Sequence, residues 1–480
     1  MSTVLASSPG GAEVRLAQAA IDELKAKLRG PLLRPGDAGF EQLSAVWNGM
    51  IVRRPAMIAR CLGTSDVIAG VNFAREQGIA LSVRGGGHNI SGLAVCEGGL
   101  MLDMSLQRGV WVDAGGRRAV AQTGCTLGDL DRETQLHGLA ACLGFVSRTG
   151  IAGLTLGGGF GYLTRTCGWT SDTVRSMELV TADGRLVRAS GEENPDLFWG
   201  LRGGGGNFGI VTNIEYTLYP VGPEIVGGAV AWLADDAERV LAMFRDYART
   251  APPEMTCVAA LRPAPPAPWL PVDVHGKLIV LMVVCYTGPV SEGEKLVAPI
   301  KSFGTTVGDV LQRRTYVSQQ SLLDATQPDG RRYYWKSEYL PEVAPGMIPE
   351  LVNHARRIQS PHSMITLFQL DGALNALPGD HSAVGNRDAR MVINIAAAWD
   401  AESDDDRCIE WARSSWRDLR RYSTGGTYIN FLTEEEVGDR LRAAYGQNYD
   451  RLVEIKQKWD PGNLFRANKN IPPTDGRRKG

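Results

Sequence analysis

Arg84-Gly85-Gly86-Gly87-His88-Asn89 is the stretch of this chain whose residue types and spacing speak most directly of chemistry. Three consecutive glycines let a backbone turn tightly and approach a ligand closely, because no Cβ intervenes. The N–H groups of such a turn form a concavity suited to anions. A phosphate cradle alone has no need of the imidazole that ends this one. A cofactor that must be held, or covalently attached, could use it; the plainer reading is a loop histidine satisfied by hydrogen bonds.

A second glycine cluster runs Ser147-Arg148-Thr149-Gly150-Ile151-Ala152-Gly153-Leu154-Thr155-Leu156-Gly157-Gly158-Gly159-Phe160-Gly161. Its glycines and hydroxyls can serve several phosphate oxygens and a flat ring without steric conflict; alone it would also suit a bend between packed strands. A third run, Gly204-Gly205-Gly206-Asn207-Phe208-Gly209, fits GxGxxG. The dinucleotide fingerprint needs a strand before that motif and a helix after it. Here a short helix, Pro195-Asp196-Leu197-Phe198-Trp199-Gly200, precedes it and a strand, Ile210-Val211-Thr212-Asn213-Ile214, follows. The reversed order argues against a Rossmann site.

Outside the glycine runs, Arg332-Tyr333-Tyr334-Trp335-Lys336-Ser337 reads as a strand. Alternation puts Tyr334 and Lys336 on one face and Tyr333 and Trp335 on the other. If the first face looks at a bound cofactor, Lys336 lowers the pKa of a nearby acid or orients a polar substrate; otherwise it is a lysine at a solvent edge. Gln369 in Leu367-Phe368-Gln369-Leu370 is a further pocket candidate. His275, His354, His362 and His381 lack metal-ligand spacing and read as surface or loop residues, so no metal site is expected.

The elements that must position these groups follow from periodicity. Residues 11–30 read as a helix, with Val14, Leu16, Ile21 and Leu24 on its apolar side. Strand, helix and strand follow over 54–83, with Thr64-Ser65-Asp66 capping the helix and the second strand feeding RGGGHN. Strands fill 99–123, a helix runs from Thr126 to His137, and Ala182-Asp183-Gly184 turns a hairpin over 177–188. Beyond Pro220 long strands alternate with helices near 235–250, 289–303 and 404–421, which reads as an inserted α+β domain. Arg262-Pro263-Ala264-Pro265-Pro266-Ala267-Pro268 is a loop. The segment 434–473 is helical until Asp460-Pro461-Gly462-Asn463 stops it.

At 480 residues, 44% apolar and 22% charged, the chain has the length of two to three globular domains. A net charge of -2 gives no support for nucleic acid or anionic membrane as a partner. No apolar run of about 18 residues occurs, residues 1–9 show no basic n-region or apolar h-region, and the eight cysteines have no CxxC spacing. The expectation is a cytoplasmic protein with reduced thiols.

Taken together the motifs resemble the FAD-linked oxidases of the berberine bridge enzyme type, in the vanillyl-alcohol oxidase superfamily. The likeness covers nearly the full length: residues 66–83 with RGGGHN, TGIAGLTLGGGFGYLTR at 149–165, NPDLFWGLRGGGGNFGIVT at 194–212, TYINF at 427–431 and DPGNLFRANKNIPP at 460–473 stand in the family's order. It implies an α+β fold: a PCMH-type FAD-binding domain of two subdomains, interrupted by a substrate domain of antiparallel sheet backed by helices. The implied boundaries are an N-terminal helical segment at 1–35, a first FAD-binding part at 36–220, a substrate domain at 221–424 and a completing segment at 425–480.

The resemblance also implies roles. The family's RGGGHN histidine bonds to the flavin 8α-methyl group, which points to His88. Arg84, Gly85, Gly86, Gly87 and Asn89 would hold the pyrophosphate. Thr149, Gly150, Gly153, Leu154, Gly159 and Gly161 would line the other side, Ile210 and Val211 the adenine end, and Asn430, Asn468 and Asn470 match asparagines near the cofactor. Members with a second tether carry a cysteine where this chain has Val146, and Cys142 is out of register, so FAD attached through His88 only is expected. Cys167 stands where relatives often carry tyrosine, which weakens a two-tyrosine mechanism. Tyr428, two positions before Asn430, matches the family's base; a phenol with an ordinary pKa near 10 needs a cationic neighbour or the flavin's field to act so, and otherwise packs on the ring.

The expected activity is an FAD-dependent oxidoreductase. It would take hydride from a C–H next to O or N of a small aromatic, alkaloid-like or secondary-metabolite substrate and reduce O2 to H2O2. An oligosaccharide oxidase, a dehydrogenase with another acceptor and a non-catalytic flavin-binding protein are the alternatives; a homodimer is left open.

Overall fold

The computed structural model describes residues 3–474. Apolar strands at Met57–Arg60 and Leu81–Arg84 flank Leu100–Asp103, pairing with it in parallel, and Leu32–Leu33 adds antiparallel at the edge. The helix Thr64–Gln77 makes the crossover and buries Val67, Val71 and Ala74 on this sheet. Thr64 does not cap it: Gly63 occupies the cap position, and the buried Asp66 carboxylate instead accepts from the N–H groups of Leu62 (2.8 Å) and Arg29 (2.9 Å). RGGGHN therefore leaves the C-terminal end of a parallel strand, the end beyond which α/β sheets place ligands.

A second, antiparallel sheet has the order Leu186–Ser190, Val174–Val180, Ile210–Thr217, Arg118–Gln122, Val110–Asp113. The strand after GGGNFG is its central member, and the helix Pro195–Leu201 precedes the motif, as the sequence order requires. The third sheet has eight antiparallel strands. Along its path lie Thr306–Asp309, Glu224–Leu233, Leu278–Tyr286, Met255–Pro263, Met364–Gln369, Met391–Trp399 and Arg332–Leu340; Gln312–Thr315 pairs with Glu224–Leu233. Its central strands are buried on both faces. One face packs against the helices Ala237–Thr250, Met347–Arg356 and Asp405–Leu419 in a core that includes Phe244, Leu351 and Trp411. The architecture is α+β, and among the described residues no helix is long and apolar enough to cross a membrane.

The helix expected over 11–30 is half strand. Thr3–Ser7 and Glu13–Ala17 form a hairpin, and the helix begins only at Gln18. Val14 and Leu16 keep the period of two, while Ile21 and Leu24 keep the helical spacing; one window over both mixes the two periods. Gly11, with a positive φ of 85°, turns the hairpin.

A buried ion pair within the C-terminal segment, between Lys456 and Asp460, helps to dock that segment on Asn207. Lys456 Nζ donates to Asp460 Oδ2 (2.7 Å), Asn207 O (2.8 Å) and Phe465 O (2.9 Å), with both charged side chains fully buried. Asp460 also accepts from the N–H groups of Leu464 and Phe465. Breaking one half of a buried pair leaves an uncompensated charge, a loss of about 3–5 kcal/mol. The Asp460→Ala protein is expected to melt well below wild type by calorimetry, whereas removing the exposed Lys27–Glu23 pair should leave the melting temperature within measurement error.

Candidate active site

The glycine loops meet backbone to backbone. A Cβ on Gly86 would come within 2.7 Å of Gly150 Cα, and one on Gly150 within 2.8 Å of Gly86 Cα. Hydrogen bonds from Leu127 N to Thr149 O (2.9 Å) and from Ile151 N to Cys125 O (3.0 Å) hold the second loop in place. Between these loops, the strand after GGGNFG, the C-terminal segment and the free face of the eight-stranded sheet lies a cavity of about 820 Å³.

Gly85, Gly86, Gly87, His88 and Asn89 are on its wall, as are Thr149, Gly150, Gly153 and Leu154. Ile210, Val211, Asn430 and Asn468 join them. Gly153 and Gly206 have no heavy atom near an added Cβ, so both present bare backbone to open space. His88 Nε2 and Asn468 Oδ1 are buried without hydrogen-bond partners. Burial pulls the His88 pKa down to about 4, so the ring is neutral near pH 7 and keeps a lone pair. A cradle of bare glycines with unpaired buried polar atoms fits a large, flat, phosphate-bearing cofactor such as FAD.

Four cofactor candidates sit elsewhere. Arg84 turns its guanidinium to the carbonyls of Leu43 and Ala45 and braces the loop from outside. Gly161 packs under Leu143, and Gly159 spends its N–H on Tyr428. Asn470 is set back from the wall, its Oδ1 buried and unpartnered. Val146 lines the cavity, while Cys142 lies in the core with its thiol directed to Gly168 O (3.4 Å) and its pKa pushed up by burial. Cys167 contacts the Thr166 hydroxyl, and burial raises its pKa to about 11.

Tyr428 is the polar centre of the wall. Its hydroxyl oxygen accepts from Gly159 N–H (3.0 Å) and from Asn430 Nδ2 (2.9 Å). Trp169 stacks on the ring, and Phe160 and Phe431 meet it edge-on. Burial raises the phenol's pKa above its ordinary value, while the two donors oppose that rise. Lys336 has no part in it. The face of Arg332–Leu340 that reaches the cavity is Trp335's; Lys336 points the other way, to Glu435 (2.7 Å) and Glu436 (3.5 Å). Gln369 is likewise off the wall. Its amide accepts from Cys257 N and donates to Ala248 O on the helix side of the sheet, and Met364, Thr366 and Phe368 take the cavity side.

Trp47 and His362 also belong to the site. Trp47 is sandwiched between His88 (centroids 4.6 Å) and Tyr333 (3.8 Å), and its N–H donates to Gln327 O. No local pattern marks it. His362, expected at the surface, lines the cavity and contacts Asp400 Oδ2 (2.9 Å); His354, also expected at the surface, is buried between its own helix Met347–Arg356 and Ser415 of the helix Asp405–Leu419. His362 stands two residues before Met364, and that alternation was the available signal.

A glycine-lined cavity of this shape, set in this fold, defines a flavin-dependent oxidoreductase. Comparison bears this out. The "FAD binding domain" family matches residues 55–190 and "Berberine and berberine like" matches residues 427–472. (R)-6-hydroxynicotine oxidase of Paenarthrobacter nicotinovorans is 31% identical over 93% of this chain and 97% of its own length. The chitooligosaccharide oxidase of Gibberella zeae is 25% identical over 95% of this chain and 94% of its own. The crystal structure of 6-hydroxy-D-nicotine oxidase from Arthrobacter nicotinovorans superposes with a TM-score of 0.84 at 28% identity, over 93% of this chain and 98% of that one. The chain belongs to the berberine bridge enzyme-like family of FAD-linked oxidoreductases.

Because nothing of the protein obstructs a side chain at Gly153, Gly153→Ala should melt like wild type when both are produced without flavin, but carry markedly less FAD when flavin is supplied. Gly86→Ala, which collides with Gly150, should lose both fold stability and flavin. Flavin absorbance per chain and the melting temperature separate the two.

Proposed function

We propose that this chain is an oxidase with FAD attached through His88 alone. It acts on a C–H beside an oxygen or nitrogen of a small aromatic, alkaloid-like or secondary-metabolite substrate. When bound, FAD supplies the hydride acceptor and passes the electrons to O2, giving H2O2. His88 is the tether: its neutral ring is clamped by Trp47, which fixes the direction of the bond it would make. Val146, with Cys142 buried in the core, supports a single attachment. Thr149, Gly150, Gly153 and the RGGGHN loop hold the cofactor, with Asn430 and Asn468 closing over it.

Tyr428 carries the reading. Its oxygen already accepts two N–H donors, so its own proton is the one left to exchange with a substrate hydroxyl or amine. Hydrogen bonds to the charged form favour that form, so Gly159 N–H and Asn430 stabilise a phenolate where the family resemblance places the base. Phe160, Phe368 and Phe431 keep water from this end of the cavity and present flat surfaces to an aromatic substrate. Carbohydrate oxidation is the second reading, favoured by Trp269 and Trp335 on the wall and by the likeness to a chitooligosaccharide oxidase. The scarcity of polar side chains around Phe368 favours the aromatic substrate.

Acid precipitation of the wild-type protein should leave a yellow pellet with flavin on the His88 peptide, and His88→Ala a colourless one; flavin on Cys142 would overturn the single tether. Anaerobic mixing with a panel of aromatic alcohols and amines should bleach the holoenzyme, while absence of bleaching across the panel would favour a flavin-binding protein without turnover. With a bleaching substrate, Tyr428→Phe should slow flavin reduction by about 10²- to 10⁴-fold and abolish its rise with pH; slowing of less than about tenfold means that Tyr428 only packs.

A further inference from the structure

The cavity's second end holds a charge that the proposed chemistry does not use. Val258, Ala260 and Arg262 alternate along one strand onto the cavity face. Arg262 is 6% exposed. Its Nε donates to Pro263 O (3.1 Å), and the described residues offer its two terminal nitrogens no ion pair. The other cations nearby are differently placed. Arg331 Nε donates to Asp400 Oδ1 (2.8 Å), and the same carboxylate holds His362. Asp400 thus answers Arg331, and among the described residues no carboxylate pairs with Arg262. Arg331 acts on Arg262 as a like charge, and burial together with that repulsion lowers its pKa to about 10, with no acid acting in the other direction. A guanidinium at that value is still charged at neutral pH. A buried, unpaired cation is costly unless something charged completes it.

The register locates this group. Val258 lies opposite Phe368, and Phe368 packs on Phe160 and Phe431, the rings that enclose Tyr428. Arg262 is four residues further along, about 13 Å away at the rise of an extended strand. Between them the wall carries Ala260, Thr366 and Asn394, cross-strand neighbours in one row, with Asn394 Oδ1 buried and unpartnered. Pro265, Pro266 and Trp269 of the proline-rich loop wall in the Arg262 end.

We propose that the substrate is an elongated aromatic alcohol or amine bearing a carboxylate at the end remote from the oxidised carbon, and that Arg262 binds that carboxylate. A guanidinium fork matches a carboxylate in two parallel hydrogen bonds, and one unanswered positive charge matches one negative charge. Arg262 then sets specificity and register: a carboxylate held there presents the far end of the molecule to Tyr428. The proposal rests on the oxidase reading for which end reacts, but the binding it asserts does not require turnover.

The test is calorimetric titration of the flavin-loaded enzyme with 4'-methylbiphenyl-4-carboxylate, which has no alcohol to oxidise, and with its methyl ester. The acid should bind wild type about 10- to 100-fold tighter than the ester, the range of a hydrogen-bonded ion contact. In Arg262→Met that preference should vanish through loss of acid affinity, with ester affinity unchanged, and Arg262→Lys should retain part of it. Equal affinities in wild type, no binding of the acid, or a preference that survives Arg262→Met would each overturn the assignment. Should Arg262→Met fail to fold, the wild-type comparison and Arg262→Lys still decide. Flavin content and anaerobic bleaching, measured on the same samples, report separately on the oxidase reading. An enzyme that bleaches with neutral aromatic alcohols but ignores the carboxylate keeps that reading and loses this one.

Discussion

The contact of Gly86 with Gly150 is the constraint on which the rest of the site depends. Two loops from different sheets pass so closely that neither tolerates a Cβ at the crossing. One loop carries His88, held from outside by Arg84 on the Leu43 and Ala45 carbonyls. The other leads through Gly153 and Gly157 to Gly159, whose N–H reaches Tyr428. The proposed tether and the proposed base are thereby fixed relative to one another through contacts of the main chain. Asn430 extends the same logic: its carboxamide lies over Gly157, and its Nδ2 donates to Gly153 O and Leu154 O as well as to Tyr428.

Much of this was legible in the sequence because glycine is informative wherever backbone must approach backbone. RGGGHN, the second cluster and the reversed order around Gly204–Gly209 were read from residue type and neighbouring periodicity alone, and the order of strands and helices beyond Pro220 followed from period. What stayed hidden was which face of a fully buried strand looks at the cavity. The strand Arg332–Leu340 alternates equally well either way, since both its faces are largely buried. The choice is made by Glu435 and Glu436, distant in sequence, which draw Lys336 to the far side. Gln369 fails for the same reason, captured by Cys257 N and Ala248 O. Trp47 is invisible locally because its partners come from two separate regions of the chain. Period two tells that a face exists; only long-range partners tell which face it is.

The eight-stranded sheet is therefore more than a lid. Its cavity face changes character along the strands: aromatic at Phe368, small at Ala260 and Ala396, amide and hydroxyl at Asn394 and Thr366, cationic at Arg262. Each step is two residues, so substitutions on that face change the cavity lining without touching the helices packed behind it. At Gly86 and Gly150, by contrast, the facing backbone leaves no room for a side chain. Relatives with differently named substrates at 25–31% identity fit this division of labour.

The buried pair of Lys456 and Asp460 has a consequence for the order of events in synthesis. It ties the segment carrying Phe465 and Asn468 to Asn207, in a part of the chain made far earlier. The strands and loops of the first half emerge from the ribosome with one wall of the cofactor chamber missing. They stay that way while the whole eight-stranded sheet is made, because Tyr428, Asn430 and Asn468 follow its last strand in the sequence. The chamber is closed by residues made after that whole sheet, so a chain interrupted anywhere before Asp460 is left with a half-built chamber and no latch.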